Sequence, residues 1–451
     1  MRPRHRPSRR SDRPEASGIQ NAMAGIVEMQ NSPWVGRIPV AVMQACPAIW
    51  INPAVADSAS VLPDLALGKA DVDGAVARWQ RFAPLLTRLF PQEVSGRIDS
   101  PLIPLAAGLS DTILCGAGGR VLVKADHALP VTGCIKARGG VYEVLAYAEA
   151  LAAQAGLLAE GRSYAAFADP EFRDQFGRHI IAVGSTGNLG FSVGLMGRAL
   201  GFAVEVHMSH DAKAWKKERL RELGARVVEH RGDYGAAVAA ARNAYSGRGD
   251  AHFVDDEDSV ELFLGYAAAA LDLERQLAAA GIPVGPAHPL FVHLPCGVGG
   301  APGGVAFGLK LLFGDSVHPV FVEPVASPCM LVQLAAGLER PVSVYDVGLD
   351  NRTAADGLAV ASASMLVART LEKLVRAVVT VPDDALYRWL KILWTEAGIR
   401  LEPSAAAGFA AAGRFAQTIP AETRAAATHV IWTTGGAHLP AEEFEAALAR
   451  G

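Results

Sequence analysis

No apolar run in this chain reaches the roughly 20 positions needed to cross a bilayer, so a membrane-embedded protein is not expected. Cysteine is scarce. Cys46, Cys115, Cys134, Cys296 and Cys329 show neither the paired spacing of a zinc site nor the density of a disulfide scaffold, and fit reduced, cytoplasmic thiols. An excess of one charge is also missing. The 42 Lys and Arg are mixed with 46 Asp and Glu for a net charge of −4, which favours neither nucleic acid nor an anionic membrane surface as partner. No internal repeat is visible, and no low-complexity tract beyond Ala-rich helices. What remains is small-molecule chemistry. Length alone suggests about three domains, although two-lobed α/β enzymes of 451 residues are common. The opening "MRPRHRPSRRSDRP" is rich in Arg and Pro and contains Arg9-Arg10, but no apolar core follows, which argues against twin-arginine export. Residues 1–30 are expected to be a disordered extension, or to reflect a start placed upstream of Met23 or Met29.

From about Gly177 the chain alternates short apolar runs with helical patterns, the signature of parallel strands joined by crossover helices. "HIIAVGS", "FAVEVHMS", "ARVVEH" and "AHFVDD" read as strands, with "LGFSVGLMGRALG", "AKAWKKERLREL" and "YGAAVAAARNAY" as the helices between them. A second series follows with "LFVHLP", "HPVFVEP", a helix near "SMLVARTLEKLV" and a last strand in "HVIWTTGG". Each of these strands ends in glycine, proline or a small polar residue. In open α/β sheets the ligand lies beyond the carboxyl ends of the strands, so these turns should converge on one crevice.

Three stretches carry chemistry. "PCGVGGAPGGVAFGLK" follows a strand and opens a helix, so its glycines let backbone N–H groups curl round a phosphate. It lacks the ending of a nucleotide P-loop and the full dinucleotide spacing; taken alone it is equally a tight turn packing a helix on a sheet. "VGSTGNLGFSVG" is a second strand-turn-helix corner, offering Ser185, Thr186 and Asn188 with free N–H groups to a carboxylate, or serving only as an N-cap. In "VTGCIKARGG", Lys136 lies between a Thr-Gly turn and a double glycine. Most lysines are solvated surface charges, but one desolvated at a sheet edge loses its proton more easily and condenses with an aldehyde.

The combination of these stretches with the "TTGG" strand end resembles the fold-type II pyridoxal phosphate enzymes, the tryptophan synthase β family. From Ile135 to Pro440 the likeness is to its D-serine dehydratase (D-serine ammonia-lyase) branch, through "IKARGGVYEVLAYAE", "VGSTGNLGFSVGLMG", "LPCGVGGAPGGVAFGLKLLFGD", "NRTAADGLAV" and "GIRLEPSAAAGFA" among others. The resemblance implies two open α/β lobes with the cofactor in the cleft between them: a large domain from residues 31–145 and 268–451, and a smaller one from 146–267. It implies that Lys136 bonds the aldehyde of pyridoxal 5′-phosphate and that Gly297, Val298, Gly299 and Gly300 hold the phosphate. Asn188 would meet the 3′-oxygen and Thr434 the pyridine nitrogen, where a hydroxyl leaves a weaker electron sink than a carboxylate would.

By the same likeness the corner Ser185, Thr186, Gly187, Asn188 and Leu189 binds the substrate carboxylate. D-Serine, and with it D-threonine, would lose its β-hydroxyl and yield a keto acid and ammonia. Either Lys136 or Thr186 would take the α-proton, with Thr186 favoured and Lys136 as shuttle; Asp256 rather than Asp255, or else the cofactor phosphate, would protonate the leaving hydroxyl. Glu323 matches a cation-ligand position, so a monovalent cation such as potassium is consistent with the likeness, a helix cap being the alternative. Cys134 stands where serine is common in the family, and Ala437 and His438 where glycine and an apolar residue are usual. The neighbouring expectations are L-serine or L-threonine dehydration and β-replacement on the same fold. A phosphate-binding regulatory module without catalysis is the expectation from another class. Monomer is the family habit.

Overall fold

The computed structural model describes residues 34–92, 96–185, 187–232 and 234–451. The expected N-terminal extension and Thr186 lie outside the described residues.

Eleven strands of the described residues form two open sheets. In chain order they are β1 (Ile49–Ile51), β2 (Leu102–Pro104), β3 (Arg120–Lys124), β4 (Ile180–Gly184), β5 (Ala203–Ser209), β6 (Arg226–His230), β7 (Ala251–Val254), β8 (Leu290–Pro295), β9 (Val317–Pro324), β10 (Ala377–Val381) and β11 (Thr428–Trp432). The larger sheet runs β1-β10-β9-β8-β11-β3-β2 and the smaller β6-β5-β4-β7. The inner strands of the large sheet are parallel, and antiparallel β1 and β2 close its two edges. All pairings in the small sheet are parallel.

The sequence dictates these sheets through burial. β8, β10 and β11 are apolar along nearly their whole length and buried at every position, as strands covered by helices on both faces must be. β6, at the edge of the small sheet, alternates exposed and half-buried residues. The turns after β4, β7, β8 and β11 all open on one cleft, which is the geometry expected at the carboxyl ends of parallel strands. The chain is an α/β protein.

Candidate active site

Lys136 is the first residue of the helix Lys136–Gln154 rather than part of a turn. The bend before it is made by Val131 at φ 77° and Gly133 at φ 63°, left-handed conformations that swing the chain from the cluster below β3 into the helix. Its side chain is 20% exposed, which removes it from the class of solvated surface lysines. The ε-nitrogen lies 3.2 Å from both carboxylate oxygens of Asp256, in the turn that follows β7. Within the acidic run "DDED", Arg242 binds Asp255 at 2.6 and 2.8 Å and Glu257 at 2.6 Å. Asp256 alone of the three is thereby left to face the lysine.

The cleft over Lys136 encloses about 840 Å³, open mouth included, and Lys136, Asp256, Ser185, Gly187, Asn188 and Leu189 line it. This volume suits a cofactor with a small amino acid beside it. Gly297, Val298, Gly299, Gly300 and Thr434 complete the wall opposite the small sheet. Glu323 is the one described site residue of the sequence analysis that does not line the cleft. Its two carboxylate oxygens accept the N–H groups of Met330 and Leu331 at 2.8 and 2.9 Å, capping the helix Cys329–Ala336, and burial pushes its carboxyl up to about 8. Among the described residues no group of three or more His, Cys, Asp or Glu is arranged to hold a metal ion.

The residues present fit a phosphorylated pyridine. After β8 the chain turns through Gly299 at φ 114° into the helix Gly300–Phe313. A Cβ on Gly299 would sit 2.5 Å from the Cε of Met330, so only glycine leaves this turn open. The N–H groups of Gly297, Val298, Gly299 and Gly300 donate to no acceptor among the described residues, as a helix N-terminus awaiting an anion requires. On the far side of the cleft the hydroxyl of Thr434 is buried and without a hydrogen-bond partner. A buried orphan hydroxyl is costly unless a ligand atom satisfies it.

At the substrate-side corner the Ser185 hydroxyl accepts the N–H groups of Gly187 and Gly190 at 3.2 and 2.9 Å, which shapes the turn into the helix Asn188–Leu200. The amide nitrogen of Asn188 donates to Glu402 at 3.1 and 3.3 Å. Glu402 is buried in the cleft wall; burial and, less strongly, the charge of Asp356 raise its pKa, while Lys216 and Asn188 oppose the rise. Lys216 and Asp356 form an ion pair of 2.8 Å at the same wall. Glu402, Asp356 and Lys216 are functional-site residues that sequence reasoning passed over. They lie inside or beside the stretches quoted above, but no spacing rule separates them from ordinary surface charge.

The comparisons with known proteins agree with this geometry. Residues 98–435 match the family model described as "Pyridoxal-phosphate dependent enzyme". The chain is 52% identical over 89% of its length to a protein of Chromobacterium violaceum named "Probable D-serine dehydratase", of which 93% is covered. A protein of the same name from Pseudomonas aeruginosa is 51% identical, with 90% of this chain and 94% of the relative covered. Among solved structures, Escherichia coli diaminopropionate ammonia lyase matches with a TM-score of 0.66 at 19% identity, covering 89% of this chain and 96% of its own. A bacterial threonine deaminase (T.th.) matches at 0.60 and 25% identity, covering 83% of this chain and 100% of its own. The fold is therefore that of the fold-type II enzymes. The chain belongs to the pyridoxal-phosphate dependent enzyme family.

Proposed function

We propose that this chain dehydrates and deaminates D-serine to pyruvate and ammonia, with D-threonine as a second substrate. The observation that carries the reading is the Lys136–Asp256 contact of 3.2 Å inside a cleft bounded by the open glycine turn and the unpartnered Thr434 hydroxyl. The names of the relatives at 51–53% identity support D-serine as the substrate.

Bound pyridoxal 5′-phosphate would supply the electron sink that takes up the pair left when the Cα–H bond breaks. The chain's own residues do the rest. Gly297 to Gly300 hold the phosphate, Thr434 meets the ring nitrogen and Lys136 bonds the aldehyde carbon until substrate displaces it. The Ser185 to Leu189 corner holds the substrate carboxylate, which fixes the Cα–H bond for cleavage. Thr186 takes the α-proton with Lys136 as shuttle. Asp256 shares a proton with the ε-nitrogen of Lys136 and delivers it to the departing hydroxyl; the cofactor phosphate is the rival acid. Each Glu323 oxygen keeps a second lone pair, which leaves room for a monovalent cation, and dependence of activity on potassium would reveal it.

The large lobe (31–145, 268–451) then holds the cofactor, and the small lobe (146–267) presents Asp256 and the substrate corner. We place the reaction in the cytoplasm, in a monomeric chain. No helix of the described residues is long and apolar enough to cross a membrane, and all five cysteines are free. Pyruvate formation from D- and L-serine tests the reading. It expects a clear preference for D-serine, and a preference for L-serine would assign the chain to the other dehydratases of this fold.

A further inference from the structure

Behind Lys136, on the side away from the cleft, lies a buried cluster of charge that the chemistry above does not use. At its centre is Asp126, which follows β3 and is fully buried. Its carboxylate accepts the Nε and Nη2 of Arg138 at 2.7 and 2.9 Å, a two-pronged grip. The indole N–H of Trp432 donates to it at 2.8 Å, and the Ser100 hydroxyl at 2.6 Å. Arg138 and Lys124 each lie 6.0 Å from the centre of the Trp432 ring. Burial works against the Asp126 carboxylate, but Arg138 more than compensates and holds its pKa below the usual carboxylate range.

A buried ion pair seldom stabilises a fold more than apolar packing of the same volume would; its best use is to fix one geometry. Here the geometry it fixes is informative. Arg138 stands two residues beyond Lys136 on the same helix, and Trp432 two residues before Thr434 at the end of β11. The same two segments are pinned again beside the cleft, where the N–H of Ile135 donates to the Thr434 carbonyl at 2.8 Å and Cys134 bridges Gly435. The lysine-bearing helix and the threonine-bearing strand are thus tied together at two levels. The lower tie passes through one carboxylate.

We propose that Asp126 is a positioning residue: by gripping Arg138 and Trp432 at once it sets the spacing between Lys136 and Thr434, and so tunes cofactor affinity and the cofactor's electronic state. The inference rests on the assignment of Lys136 and Thr434 to the aldehyde and ring-nitrogen ends of the cofactor. Asp126 touches neither substrate nor cofactor.

Two single-donor deletions separate positioning from mere structural support. Trp432→Phe removes the grip on β11, while Ser100→Ala removes an equally short hydrogen bond to the same carboxylate from a segment that does not line the cleft. Trp432→Phe is expected to weaken pyridoxal phosphate binding by about tenfold, read by titration of the apoprotein, and to shift the absorption maximum of the bound cofactor. Ser100→Ala is expected to leave both within about twofold of the starting protein, although each variant lowers the melting temperature of the apoprotein. Asp126→Asn, where it folds, should show the larger loss of affinity with borohydride still trapping the cofactor on Lys136. Unchanged affinity and spectrum in Trp432→Phe would overturn the inference, as would equal changes in both deletions. Failure to trap the unsubstituted protein at Lys136 would instead strike the site assignment itself.

Discussion

The two sheets meet at one cleft but are built to different standards. In the large sheet β8, β10 and β11 are buried at every residue, and its polar groups are locked: Lys124 between Asp99 and the Ser100 carbonyl, His293 against His429, Asp126 against Arg138. In the small sheet β6 is partly exposed, and ion pairs such as Arg226–Glu205 lie at its surface. The division of labour follows the same line. The large sheet presents the glycine turn and Thr434, which would hold a cofactor in one pose. The small sheet presents Asp256 and the Ser185 to Asn188 corner, which would handle substrate and protons and must tolerate exchange of ligands. A rigid holder facing a more adaptable hand is what binding energy spent on orientation requires.

Substitutions on the two sides should therefore differ in kind, and the largest effect belongs at the holder. Lys136→Ala should lower kcat by about 10³-fold or more, since no other group can bond the aldehyde carbon. On the substrate side, Asp256→Asn should lower kcat by about 10²-fold while Lys136 still binds cofactor. If Asp256→Asn leaves kcat intact, the cofactor phosphate is the acid. The two glycine corners give a matched pair for stability. Gly299→Ala forces a left-handed residue against Met330 and should cost about 2–3 kcal/mol in denaturant unfolding. At Gly187 the nearest atom to an added Cβ is the movable Lys216 ammonium at 3.4 Å, so Gly187→Ala should cost less than about 1 kcal/mol.

Acid should weaken the large sheet through its buried histidines. Burial lowers His429 from 6.5 to about 4. Between those values the unfolded chain binds the proton and the folded one does not, so stability is full above pH 6.5 and falls as the pH drops towards 4. The expected slope from this one residue is about 1.4 kcal/mol per pH unit, and His429→Phe should remove that much from the measured dependence. At the small end, Arg226→Ala on the exposed edge of the small sheet should change stability by less than about 0.5 kcal/mol. A larger loss there would mean that the small sheet is as tightly specified as the large one.

Much of this is readable in the chain. The strands after Gly177 announce themselves as apolar runs ended by glycine or proline, and the observed β4 to β9 and β11 fall within the stretches quoted. β1 and β2 are three-residue antiparallel edges, too short to carry a periodic signal. β10, "AVVTV", has the composition of a buried strand but is masked by the longer helical patterns on either side of it. The double glycine after Lys136 is explained only in three dimensions: the two residues lie inside a helix, where a Cβ on Gly139 would overlap the ring of Tyr266. Glu402 and Asp356 could not be found by spacing, because they reach the cleft by tertiary convergence. The acidic run after β7 is legible as a candidate, but the reason Asp256 is the member facing Lys136 is the Arg242 grip on its neighbours.

The central claim is that the ε-nitrogen of Lys136 bonds the cofactor. Borohydride reduction of the purified protein reconstituted with pyridoxal phosphate, followed by peptide mass spectrometry, measures it directly. The account predicts a phosphopyridoxyl adduct on the peptide containing Cys134-Ile135-Lys136. An adduct confined to another lysine, or none in protein that forms pyruvate from D-serine, would contradict it.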